Sequence, residues 1–157
     1  MKLDHVLRPD APWLEILVAT ASEAYDAAVA LPGVGRVLRG QKMRTANALF
    51  DEVAAALQFP PYFGENWDAL DECLADLEWP HAPACLLVIL NAANVLDLDS
   101  SESRQTFREI LERVAREWAQ PAAGSKPQSA RVFRVLLQAP SEQEARLRAD
   151  WTLVSRK

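Results

Sequence analysis

Gln58-Phe59-Pro60-Pro61-Tyr62-Phe63-Gly64-Glu65-Asn66-Trp67-Asp68-Ala69-Leu70-Asp71-Glu72-Cys73-Leu74 is the stretch on which the reading of this chain turns. Two prolines and a glycine give a turn signal, and a short helical pattern follows. Trp67, Leu70, Leu74 and Leu77 recur at helical spacing and predict a core-facing side. Glu65, Asp68, Asp71, Glu72 and Asp76 lie between them, with Asp68, Glu72 and Asp76 one turn apart. No basic residue stands among them. The pattern describes an acidic loop and helix on a hydrophobic footing, with Asn66 as the N-cap.

The charge of the whole chain sharpens that reading. The 157 residues carry a net charge of -5, but it is unevenly spread. Between Arg44 and Arg104 there are eleven acidic residues and no Lys or Arg. A face of one sign steers partners of the other. It also argues against direct nucleic-acid binding there, which needs Lys and Arg to replace counterions. The partner implied is basic.

Working outward, residues 84–90 (Ala-Cys-Leu-Leu-Val-Ile-Leu) form an unbroken apolar run, the pattern of a central strand covered on both faces. Residues 13–19, 34–39 and 131–138 read as further strands, the last stretch of residues 151–154 as a strand or a tail. Thr20-Ala21-Ser22-Glu23 fits a capping box, and its helix stops at Leu31-Pro32-Gly33. Thr45 caps a helix with Ala46, Leu49, Phe50, Val53 and Leu57 on one side. Trp79-Pro80-His81-Ala82-Pro83 breaks the acidic helix. Ser101 is the expected cap of a helix reaching about Ala119, and residues 121–129 read as a mobile loop. Ser141-Glu142-Gln143-Glu144 is a second capping-box pattern. The order β-α-β-α-α-β-α-β-α predicts an α/β fold: a small, largely parallel sheet covered by helices, in one domain.

The function classes thin out quickly. No apolar run nears the roughly 18 residues of a membrane span, and the N-terminus lacks a signal-peptide core. Cys73 and Cys85 are too few for a disulfide framework, which points to a reducing cytoplasm. No nucleophile elbow, phosphate-cradling glycine loop or His-Glu-x-x-His helix is present. His5, near a frayed end, and His81, between prolines, read as solvated, and Cys73, beside Glu72, as a buried inert thiol. A carboxylate pair of glycosidase type lacks a pocket to shift a pKa. A Mg²⁺ or Ca²⁺ site lacks the spacing of a calcium loop. No cofactor is called for.

At this point the stretch from Phe59 to Leu74 resembles the signature of the barstar family, intracellular inhibitors of bacterial extracellular ribonucleases. The core Pro-x-Tyr-(aromatic)-Gly-Glu-Asn-x-Asp-Ala-Leu carries the resemblance, which extends over about residues 34–139. Residues 1–33 form an extra N-terminal βα unit and residues 140–157 a C-terminal helix and tail. The resemblance implies that the loop and helix plug a ribonuclease active site, their carboxylates standing in for RNA phosphates. By the same resemblance, Tyr62 packs on the enzyme, Asp68 meets the basic site and Glu72 is the most deeply inserted acid, where a family member has Asp. Asp71 and Leu77 fall where that member has Trp, Gly64 allows a tight loop, and Glu117 is the candidate for a late-helix acid. The expected partner-binding set is therefore Tyr62, Phe63, Gly64, Glu65, Asn66, Asp68, Asp71, Glu72, Asp76 and Glu117, in a non-enzymatic inhibitor. An acidic adaptor for another basic protein, or a divalent-metal enzyme using Asp68, Glu72 and Asp76, are the alternative readings.

Overall fold

A computed structural model describes residues 1–77, 84–120 and 131–152. Four strands form one sheet: β1 (Leu14–Val18), β2 (Gly35–Arg39), β3 (Ala84–Leu90) and β4 (Val132–Ala139), in the order β1-β4-β3-β2. Every pairing is parallel, so the sheet goes beyond the expected largely parallel arrangement. Parallel neighbours need crossover connections, and the intervening helices supply them.

The apolar run of β3 is buried along nearly its whole length, as its composition predicts. Alternation splits it between two cores. Cys85, Leu87 and Ile89, with Phe133, Val135 and Leu137 of β4, face α2 (Ala46–Leu57), α3 (Trp67–Ala75), α4 (Ser101–Ala119) and α5 (Glu144–Asp150). Leu86, Val88, Leu90 and Leu136 face α1 (Ala21–Val29) and a 3-10 turn at Asp4–Leu7. Helix α1 lies close because it presents Ala24, Ala27 and Ala28 to the sheet. At Gly35 a Cβ would come 2.3 Å from the Ala28 carbonyl oxygen, so this approach requires glycine.

β4 buries two polar residues. The Arg134 guanidinium donates to the carbonyls of Val6 and Arg8, pinning the first residues to the sheet. His5 is therefore an exposed residue of an ordered 3-10 turn rather than of a frayed end. Gln138 accepts from the Asn91 N–H and donates to the Ala19 carbonyl, which closes the bonding at the strand ends.

The caps show where local pattern decides and where it does not. The Thr20–Glu23 box forms in full, and Thr45 caps α2. The cap of α4 is Ser100, not Ser101: the Ser103 N–H donates to Ser100 Oγ, and Asp99 accepts from both Ser100 N–H and Ser103 Oγ. The second box does not form. Ser141–Gln143 is a 3-10 turn, and Gln143 precedes α5 with no side-chain cap. Trp151 is no strand residue; it closes α5 and is buried against Phe107. The helix break at residues 79–83 and the loop at 121–129 lie outside the described residues, as does His81.

Candidate functional site: an acidic loop and helix

Helix α2 delivers the chain to the site through Gln58, whose left-handed backbone (φ 53°) turns it out of the helix. The Phe63 N–H then donates to the Pro60 carbonyl, closing the turn. The Phe63 ring packs edge-on against Phe50 and Phe59, with centroids 6.2 and 5.1 Å away. Phe63 is thus the footing of the loop, half-buried, instead of an exposed anchor. Tyr62 beside it is 85% exposed and packs on nothing aromatic among the described residues.

Gly64 is not the left-handed residue of the loop. Glu65 is, at φ 50°, a conformation that costs a non-glycine residue about 1 kcal/mol or more. Gly64 serves closeness instead: a Cβ there would sit 3.2 Å from Asn66 Nδ2, which donates to the Gly64 carbonyl. The other end of the same amide caps α3, with Asn66 Oδ1 accepting from the Ala69 N–H at 2.8 Å. Asn66 thereby joins loop and helix into one unit.

Trp67, Leu70 and Leu74 seat α3 on the core, the Trp67 ring lying 4.9 Å from Phe50 and 6.3 Å from Phe107. At the far end, Trp118 Nε1 donates to the Leu74 carbonyl and Arg131 Nη1 to that of Leu77. The first satisfies a helix-end carbonyl that would otherwise lack a donor, and the second holds the chain just past the C-cap Asp76. Arg131 is held there by stacking on Trp118, 3.9 Å above its ring.

Asp68, Glu72 and Asp76 occupy the exposed side of this braced helix. A rise of ~1.5 Å per residue spreads them over ~12 Å, too far apart to converge on one ion. Among the described residues, no group of three His, Cys, Asp or Glu could hold a metal. No ion pair reaches Asp68, Glu72 or Asp76 from the described residues. Asp71 differs. Arg113 of α4 donates to its carboxylate across the helix seam, so the acids are not all uncompensated. That cation stands 42 residues away in sequence, which is why the local pattern hides it. Glu117 is exposed one turn beyond Arg113, towards the C-terminal end of α3.

Between the loop and the second half of α3 runs an open groove of about 850 Å³, lined by Phe59, Tyr62, Glu72, Cys73, Asp76 and Arg131. The Cys73 thiol is half-buried, not sealed. Partial burial pushes its pKa up, and the negative charges of Asp76 and Glu72 push it further. No described helix is long and apolar enough to cross a membrane.

Fold and site together define a class: a parallel α/β protein that displays an acidic loop and helix on a rigid base. The chain belongs to the Barstar family; the family model, described as Barstar (barnase inhibitor), matches residues 35–138. The match begins with β2 and ends within β4, so β1 and α1 lie outside it. This is a family of inhibitors of barnase-type ribonucleases. None of the curated proteins matches the chain.

Proposed function

We propose that the chain is a cytoplasmic, non-enzymatic inhibitor that seats Tyr62, Asp68 and Glu72 in the basic active site of an extracellular-type ribonuclease. Asp76 and Glu65 extend the acidic surface at its two ends, and Glu117 adds a charge from α4. A site that holds RNA phosphates with cations binds well-placed carboxylates through charge-assisted hydrogen bonds. Occupied in this way, it excludes RNA. In the cytoplasm such an inhibitor protects the producing cell before the enzyme is exported.

One observation carries the reading. Several acids elsewhere in the chain are paired: Glu52 with Arg39, Asp97 with Arg44, Glu112 with Arg108 and Arg116, Glu144 with Arg148. Asp99 accepts the N–H groups of Ala46 and Ser100. Among the described residues the row Asp68–Glu72–Asp76 has no such partner, three exposed acids one turn apart along a helix that Asn66 caps at one end and Trp118 holds at the other. Like charges one turn apart cost a few tenths of a kcal/mol per pair, a cost that a cationic partner removes.

The test is an RNA-cleavage assay with a set of barnase-type ribonucleases. Stoichiometric inhibition is expected, weakened by roughly 2–5 kcal/mol in Glu72→Ala, a range to which this family's own complexes contribute. A loss below about 0.5 kcal/mol removes Glu72 from the centre of the interface. Absence of inhibition throughout, with another basic protein recovered on the immobilised chain, makes it an adaptor.

A further inference from the structure

Arg113 brings positive charge to a face whose own sequence, from residue 45 to 103, has no Lys or Arg. On α4 it has two acids within a turn, Glu109 and Glu117. That spacing forms ion pairs elsewhere on this helix, at Arg108–Glu112 and Arg116–Glu112. The ion pair of Arg113 instead crosses the seam to Asp71. The seam is fixed on both sides of that pair, by Trp67 against Phe107 and by the Trp118 donation to Leu74. The guanidinium is therefore held in place. Its side chain is nevertheless 52% exposed, and only Nη1 has an acceptor among the described residues.

A fixed, exposed cation beside Asp68 and Glu72 is a poor match to a cleft that is positive throughout. Like charges facing each other across an interface suppress wrong partners, and specificity often lies in such a repulsive element. The free N–H groups of a guanidinium form a planar fork suited to a carboxylate.

We propose that Arg113 is a specificity determinant: it withdraws Asp71 from the contact row and selects a ribonuclease that carries an Asp or Glu beside its phosphate-binding cations. The proposal rests on the inhibitor reading above. It gives the face a mixed code, negative along the exposed side of α3 and positive at the seam with α4. The preferred enzyme has the complementary order.

The experiment measures inhibition by wild type, R113A, R113K and R113E against barnase-type ribonucleases with and without an acid bordering the phosphate site, with thermal melts alongside. R113A is expected to lose at least tenfold against acid-bearing enzymes and to hold or gain against the others. R113K, which keeps charge and loses the fork, falls between, and R113E reverses the order of preference. Neutralising the enzyme's acid removes the difference between wild type and R113A. Because R113K preserves the charge and a link to Asp71, it reports on selectivity even where R113A or R113E is unstable. Equal changes across all enzymes that wild type inhibits make Arg113 a mere brace and overturn this proposal alone. A wild type that inhibits none of them overturns the inhibitor reading, and this proposal with it.

Discussion

Glu72→Gln makes the folded protein more stable and its complex weaker. Glu72 is the middle member of the row, with Asp68 four residues before it and Asp76 four after. Each like-charge pair costs ~0.2–0.5 kcal/mol, so removing the central charge relieves about 0.4–1 kcal/mol. Nothing offsets this, because Glu72 has no ion pair among the described residues and Gln matches Glu in helix propensity. For a chain of this size the gain raises Tm by about 1–4 °C. The same substitution strands a cation on the bound ribonuclease, at a cost of roughly 2–5 kcal/mol. The assay is paired thermal melts and inhibition curves at low and high salt, since added salt screens exposed charges and shrinks the stability gain. Asp71→Asn is the control of opposite sign: it breaks the pair with Arg113 and lowers stability by about 0.2–1 kcal/mol. A lower Tm for Glu72→Gln, or a gain indifferent to salt, refutes the idea that the row is held under mutual repulsion.

Other outcomes can be checked with equally simple measurements. Asn66→Ala removes the cap of α3 and costs about 1 kcal/mol in a denaturant titration; an unchanged midpoint shows that the cap does not hold the helix. Glu52 accepts from Arg39 Nε, Nη2 and its backbone N–H, and these donors hold its carboxyl below the ordinary 4.5. The stability it adds is full above pH 4.5 and is lost as pH falls through the lower folded-state value. The difference between wild type and Glu52→Gln therefore closes in acid, and a gap that persists there contradicts the linkage. Cys85 is sealed in the core with its pKa pushed up to about 12, so alkylation of the native protein falls on Cys73. That reaction is slow, quickens with pH, is faster in Asp76→Asn and is blocked by a bound ribonuclease; modification of Cys85 under native conditions overturns the assignment.

Much of the architecture was legible because its causes are local. The apolar run from Ala84 to Leu90 needs no partner to announce a strand covered on both faces, and Thr20 with Glu23 announces a helix start within four residues. Ser100 and Ser101 are equally good caps by identity. Asp99, bonding both Ser100 and the start of α2, settles which is used, and that link spans 53 residues. The Ser141 box fails because the chain there tightens into a 3-10 turn, which brings the Gln143 N–H to the Pro140 carbonyl. The site divides in the same way. The row of Asp68, Glu72 and Asp76 follows from spacing along one helix. Phe63 turning inward depends on Phe50 of another helix, and Arg113 on the seam between α3 and α4. The signature predicts a special backbone at Gly64, but the strain falls on Glu65, since Asn66 needs the room that a glycine leaves.

The pairing of β1 with β4 sets an order of events. Leu14 lies opposite Val135, so among the described strands β1 finds its one neighbour in β4. As the chain is synthesised, β2 and β3 can meet while β4 has yet to emerge, but β1 must wait. A chain halted before residue 132 leaves both β1 and an edge of β3 open, each ready to zip onto a second copy. Joining distant strands adds little entropic cost, because loop closure grows only with the logarithm of length. The delay itself is the hazard: until β4 has been made, β1 has no described strand to pair with.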